Sequence, residues 1–440
     1  MKRNPELEIV LKIKNNTNFA QPVELFSAVP NNNFANNSNE IYTWNLSTEN
    51  YIGSYNVTIL ISNTSNPTPI YYSIPLSGNN IQSVVDALNT LNQGIFQASG
   101  TTIYVSNNYY IYGALEVVST IFTSTWETNN TSVGSSASNQ IQLPLDVGGI
   151  YNFVVDWGDG SQDTITTWNQ AQTLHTYAVA GTYILTINGT IEGFVFNGNG
   201  DRNKLLSISN WGTLNLGNTG GNFSGCSNLN LSSVVGVLDL TATTNMDFLF
   251  ANCTSLTTIN NINQWDVSNV VSMVGLFLLC SLFNDNISSW NVINVATFNS
   301  TFELATLFNG SLNNWNVSNC QDFSNMFRES YAFNNPLNNW DVSSAFSMLS
   351  MFQLATAFNQ NIGNWNISNV NDFTNFMFGK TNLNYSTTNL DAIYNGWSLL
   401  TVQPTITIGF GTIKYTLAGQ SGKNILVNAP NNWVIVDGGI

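Results

Sequence analysis

Hydrophobic positions in the first quarter of the chain fall in short runs separated by polar breakers. Leu7–Ile13, Val23–Phe26, Ile41–Leu46, Tyr55–Ile61, Ile70–Ile74 and Ile103–Val105 are strand-like, divided by clusters such as Pro30–Asn33 and Asn66–Pro69. One stretch has helical spacing instead. Val84, Val85, Leu88, Leu91 and Ile95 predict a helix over Ser83–Ile95. Residues 1–115 therefore read as a β-rich module.

From residue 116 to 196 the pattern is again that of strands, now joined by a distinctive turn. The strand-like Asn152–Val155 runs into Asp156-Trp157-Gly158-Asp159-Gly160-Ser161. His175-Thr176-Tyr177 and Ala180-Gly181-Thr182-Tyr183 follow, before a strand at Ile184–Ile187. The glycines permit a tight turn with positive φ, and the carboxylates can accept from turn amides.

The strongest pattern is periodic. Trp265, Trp290, Trp315, Trp340 and Trp365 are spaced by 25 residues. Val267, Val292, Val317, Val342 and Ile367 follow them by two; Ile262, Ile287, Leu312, Leu337 and Ile362 precede them by three. The unit (I/L)xxWx(V/I) predicts a short strand with Trp and Val on one face. Each unit then carries a helix-like run: Phe298, Phe302, Ala305 and Phe308, repeated at Phe323, Phe327, Ser330 and Phe333, and at Met348, Phe352, Ala355 and Phe358. One short strand and one short helix cannot bury an apolar face alone, so the units must stack. Upstream the spacing becomes 27 residues, read as FxxCxxL at Phe223-Cys226-Leu229, Phe250-Cys253-Leu256 and Phe277-Cys280-Phe283. Asn284, Asn309, Asn334, Asn359 and Asn384 keep the 25-residue phase too, which predicts an amide ladder that satisfies backbone groups at a corner of each unit. Past residue 385 the repeat ends. A helix carrying Leu390, Ile393, Tyr394 and Trp397, capped by Asn389, and strands at Thr405–Ile408, Gly411–Tyr415 and around Asn432–Gly439 are expected to close the stack.

Composition narrows the chemistry. The 440 residues are too many for one core, and 43% of them are hydrophobic, including 26 Phe, 16 Tyr and 12 Trp. Charged residues are only 8%, so solubility rests on uncharged polar groups. Ten basic against 25 acidic residues leave a net charge of −15, which argues against nucleic acid. Cys226, Cys253, Cys280 and Cys320 lack CxxC spacing, and one histidine makes a zinc site improbable. Ala305 and Ala355 stand at the cysteine phase, so the thiol reads as a small buried side chain. The N-terminal stretch has no signal-peptide pattern, and the longest apolar run, Val274–Phe283, is half a membrane span. Neither cofactor nor membrane insertion is implied.

The WGDGS turn with its HTY and GTY partners resembles a PKD-type β-sandwich, over about 45 residues. Calcium at Asp156 and Asp159 is disfavoured, since two carboxylates fall short of the 6–8 oxygens it prefers. His175 reads as a packed sandwich residue. The phased units, with their WDVSNV and AFNQNIGNWNISNV phrasing, resemble BspA-type leucine-rich repeats of bacterial and viral surface proteins, over about 180 residues. LDAIYNGW, APNNW and the DGG end resemble the tail of such arrays in phage proteins. The expected fold is multidomain and mainly β: a β-rich attachment module (1–115), a PKD-like sandwich (116–196), a leucine-rich-type α/β solenoid with 25-residue repeats (197–385) and a cap (386–440).

Catalysis finds little support. Asp266 and Asp341 follow their tryptophans, but Asn291, Asn316 and Asn366 occupy the same place in other units. Asp266 and Asp341 are also three units apart, on the order of 15 Å at the ~4.8 Å strand spacing, beyond a glycosidase pair. No GxSxG, P-loop or HExxH occurs. The outward positions instead form an amide-rich face suited to glycan hydroxyls or a protein partner. Its candidate residues are Asn263, Gln264, Asp266, Asn291, Asn313, Asn314, Asn316, Asn338, Asn339, Asp341, Asn364 and Asn366, with Ser288, Ser289 and Gly363 beside them. The resemblance, taken with the missing export pattern, implies a virion surface protein made in the host cytoplasm. It would dock on other virion proteins through its first module, with self-association left open, and present the array to a host glycan or protein. An exported bacterial adhesin on a cell surface and a tailspike-like polysaccharide depolymerase are the alternatives.

Overall fold

A computed structural model describes residues 120–440 with their side chains. Before residue 120 it describes the backbone of eight strands. The chain divides into two compact units, Met1–Ile121 and Phe122–Ile440, and its class is mainly β.

In the first unit, Val10–Ile13 pairs with Val23–Ser27 and Phe96–Ser99 with Thr102–Val105, both antiparallel. The strand Tyr55–Asn63 pairs with Asn66–Leu76, Tyr109–Ile111 and Glu116–Ser119. Strands thus occur at five of the six expected segments, while Ile41–Leu46 and the helix at Ser83–Ile95 lie outside the described residues.

The second unit begins as an antiparallel sheet in the order Gln162–Ile165, Leu145–Asp156, Thr182–Phe194, Phe122–Glu127, Leu205–Asn210. Alternation along Tyr151–Val155 buries Tyr151, Phe153 and Val155 on one face and leaves Asn152 and Val154 outside. Leu205–Asn210, expected in the repeats, also pairs with Phe122–Glu127 as the last strand of this sheet. Its far side starts the next layer through parallel bridges from Ser207 to Asn230 and from Asn210 to Val235. Phe194 and Trp211 pack on Phe223, so one hydrophobic core runs from the sheet into the repeats. Beside the sheet, the buried Lys204 ammonium is caged by Asp201, the carbonyls of Ser136, Ala137 and Gln140, and the Ser136 hydroxyl, pinning an otherwise irregular segment.

The repeats stack as parallel coils, with single bridges linking Asn245, Ser272, Thr297, Asp322, Ser347 and Asp372 in succession. They contain no α-helix, contrary to the α/β expectation, and (I/L)xxWx(V/I) forms turns rather than a strand. Backbone bonding gives the reason. The N–H groups of Phe298, Ser300, Phe302 and Leu304 donate to the carbonyls of Asp322, Ser324, Met326 and Arg328 in the next coil, at 2.9–3.0 Å. The intervening Thr301, Glu303 and Ala305 donate back three residues within their own coil. Each coil is therefore half ladder and half turn. Two left-handed residues four apart enforce this: Ser300 and Leu304 have φ of 55° and 59°, and Asn325 and Glu329 of 57° and 56°. A left-handed residue cannot sit inside an α-helix. The recurrence of Phe at four residues thus marks consecutive turns.

Side chains stack in columns through the coils. Phe277, Phe302, Phe327 and Phe352 lie 5.7–5.8 Å apart between ring centroids. Phe283, Phe308, Phe333 and Phe358 follow at 6.0–6.1 Å.

The C-terminal segment closes the stack by continuing these columns. A helix at Thr387–Trp397 is capped by Ser386, whose hydroxyl accepts from Asn389 N, so the cap lies three residues before the one expected. Trp397 donates to the Ile362 carbonyl, Tyr385 stacks on Phe358, and Gln403 donates to the Ser368 carbonyl. Thr407–Gly409 and Val434–Val436 pair in parallel. Gly411–Tyr415 is not a strand, and Leu417–Val427 is a second, unexpected helix.

Candidate binding surface

The candidate face lies in the turns around each tryptophan. Asn263, Gln264, Asp266, Asn291, Asn314, Asn316, Asn338, Asn339, Asp341, Asn364 and Asn366 are exposed; Asn313 is half-buried and Gly363 buried. Their backbone is not that of a strand, so their shared face comes from the stacking of identical turns.

Why Asp and Asn interchange here is now physical. Oδ1 of Asp266, Asn291, Asn316, Asp341 and Asn366 accepts the backbone N–H two residues on, at 3.0–3.4 Å. Either residue closes such a turn, since both carry the acceptor. The Ser268 bonds hold the Asp266 carboxyl below the usual carboxylate range. Other candidates join coils: Asn313 Oδ1 accepts from Asn339 N at 3.1 Å, and Asn364 Nδ2 donates to the Asn338 carbonyl at 2.6 Å. Much of the face is thus held by hydrogen bonds within and between coils.

Two columns of hydrogen bonds between coils went unread in the sequence. Asn269, Asn294, Asn319 and Asn369 donate through Nδ2 to the carbonyls of Thr241, Ser268, Ile293 and Ser343 in the preceding coil, at 2.7–2.9 Å. The indoles of Trp290, Trp315, Trp340 and Trp365 donate to Ile262, Ile287, Leu312 and Leu337 at 2.8–3.0 Å. Their invariant phase was visible; that an indole N–H must find an acceptor when buried was the unused signal. The expected ladder is present from Asn284 to Asn359, each Oδ1 accepting from the next coil. It ends at Ser386 N, and Asn384 instead accepts from Thr381 N.

At the turn Asp156–Ser161, Asp156 Oδ1 accepts from Gly158 N and Asp159 Oδ1 from Ser161 N. His175 stacks on Trp157 at 4.7 Å and meets Asp159 Oδ2 through Nε2 at 2.8 Å. Burial raises the Asp159 pKa, but Ser161 and His175 outweigh it and bring it down to about 2. Tyr177 OH donates to the Trp157 carbonyl, locking the HTY segment onto the turn. Both aspartates are thereby committed to holding the turn. Among the described residues, no three His, Cys, Asp or Glu side chains gather as a metal site. No helix among them is long and apolar enough to cross a membrane. Cys253 and Cys280 are buried, and their thiols donate to the carbonyls of Phe223 and Phe250.

Compared with known proteins, residues 193–306 and 280–390 match a family described as Mycoplasma protein of unknown function, DUF285. The match falls on the stacked coils and agrees with a BspA-like repeat protein. No curated protein and no solved structure matches the chain.

Proposed function

We propose that the chain is a non-enzymatic surface protein that presents a BspA-like, leucine-rich-type solenoid for adhesion to a host glycan or protein, with a PKD-like sandwich behind it. The observation that carries this reading is the row of exposed, turn-bonded Asp and Asn side chains at one phase of successive coils. Their turn bonds fix them before any partner arrives, so binding orders few side chains. Asp266 and Asp341, the carboxylates a depolymerase would need, are each tied to their own turn in separate coils. The proposed setting is a virion surface, with residues 1–115 docking on other virion proteins.

A second reading, an exported adhesin on a bacterial cell, draws support from the family match described from Mycoplasma. Mass spectrometry of purified particles and of surface-shaved cells from the source separates the two. Adhesion itself is tested with the labelled full chain on host cells. Saturable binding without release of reducing ends from cell polysaccharide is expected; absence of binding, or sugar release, would overturn the reading.

A further inference from the structure

Two neighbouring columns of exposed amides are pinned by opposite ends. At Asn291, Asn316 and Asn366 a backbone N–H takes Oδ1. An N–H can meet only the oxygen, so Nδ2 is left over, and it has no partner among the described residues. Three residues on, at Asn294, Asn319 and Asn369, a backbone carbonyl takes Nδ2. A carbonyl can meet only the nitrogen, so there Oδ1 is left over. All six side chains are exposed. Each of these coils therefore offers one free amide NH2 group and one free amide oxygen, with orientations fixed by the bonds that hold the other end of each side chain.

A sugar hydroxyl both donates and accepts, and the paired columns match that dual demand. Successive backbones are spaced by ~4.8 Å, close to the advance of one pyranose ring in an extended glycan. The coil of Asp341 and Ser344 breaks the pattern, because both the free donor and the amide acceptor are missing there. Asp266 and Asp341 lie in the donor column, and the chain carries a net charge of −15, which disfavours uronate or phosphate polymers.

We propose that the paired columns Asn291/Asn294 and Asn316/Asn319 bind an uncharged polysaccharide lying along the stack, one sugar per coil. This deepens the adhesion reading and rests on it. The chain itself supplies a clean variant. Asn291→Asp and Asn316→Asp keep the Oδ1 that closes each turn, as Asp266 and Asp341 do, while the free donor becomes a carboxylate.

The experiment is affinity electrophoresis of the full chain through gels holding mannan, dextran or hydroxyethyl cellulose, with alginate as the charged control. Retardation by at least one neutral polymer is expected, little changed by salt. The double variant should bind that polymer about tenfold or more weakly, since two neutral hydrogen bonds of about 1 kcal/mol each are lost, with its melting temperature retained. Retardation by alginate alone, by none of the neutral polymers, or equally for wild type and variant would overturn the proposal. Host-cell binding that survives periodate and disappears after protease treatment would overturn it as well, while leaving the adhesion reading intact. Loss of cell binding altogether would strike the adhesion reading itself.

Discussion

The indole Nε1 of Trp340 donates to the carbonyl of Leu312, one coil back, at 2.8 Å. That carbonyl already accepts the backbone N–H of Trp315 at 3.0 Å, so the indole supplies its second bond. Trp265 stands at the same phase and is 3% exposed, yet its Nε1 has no partner among the described residues. Two Trp→Phe variants therefore separate hydrogen bonding from packing. Both remove similar bulk, but only Trp340→Phe loses a buried bond, whereas Trp265→Phe removes an unsatisfied donor. Chemical denaturation is expected to find Trp340→Phe less stable than Trp265→Phe by about 1–3 kcal/mol. Equal losses would mean that the column acts by packing alone.

Lys380 occupies the coil phase held elsewhere by Cys280, Ala305, Ser330 and Ala355, directly beneath the cap. It is 1% exposed, and its ammonium donates to the carbonyls of Phe358 and Thr356 at 2.6 and 3.3 Å, with no carboxylate partner among the described residues. Burial pushes its pKa from 10.5 down to about 7. The unfolded chain then binds more protons than the folded one between those values. Stability should rise with pH from about 7 to about 10.5, by at most about 1.4 kcal/mol per pH unit, and this contribution should be flat below 7. Lys380→Met should be more stable than wild type at pH 6, and the gap should close as pH climbs toward 10. Parallel pH–stability curves for the two proteins would refute the assignment.

Burial raises the thiol pKa at all four cysteines, to about 12 at Cys280. The thiolate is the reactive form, so native protein at pH 8 should titrate essentially no thiol with Ellman's reagent within minutes, and all four in denaturant. Cys280→Ala should cost no more than about 1.5 kcal/mol, since Ala305 and Ala355 fill the same place and the lost bond is a weak S–H donor. Rapid labelling of native protein would place a cysteine outside the core.

The periodicity of Trp and Asn was legible because stacking repeats one environment at a fixed interval, and Asn309, Asn334 and Asn359 bond as their phase implied. The amide-rich face was legible as exposed but not as turns. Phe298, Phe302 and Ala305 imitate a helix by recurring every three or four residues, and only the left-handed Ser300 and Leu304 break it. Neither residue type advertises positive φ, so this part of the local fold was hidden. The cap was half-read for a similar reason. Ser386 and Asn389 both suit a helix N-terminus, and what decides is that Ser386 is extended and its hydroxyl accepts the Asn389 N–H, which places Asn389 inside the first turn.

The same phase makes the stack divisible. Coils from Trp265 to Trp365 bond to the next through equivalent ladders, and among the described residues no backbone bond from the central coils skips a layer. In such an array stability is close to a sum of unit and nearest-neighbour terms. Deleting Asn316–Trp340 joins Trp315 to Asp341 and removes one whole 25-residue period, so every downstream column falls back into line. The shortened protein should fold cooperatively, with a melting temperature within roughly 5 °C of wild type. Deleting only Asn316–Phe327 removes half a coil, strands Phe333 and Trp340 without their layer, and breaks the ladder from Phe323 to Ser347. That variant is expected to aggregate or to lose its cooperative transition. Circular dichroism melts of the two deletions decide the matter: failure of the whole-period deletion to fold would show that the coils are not interchangeable.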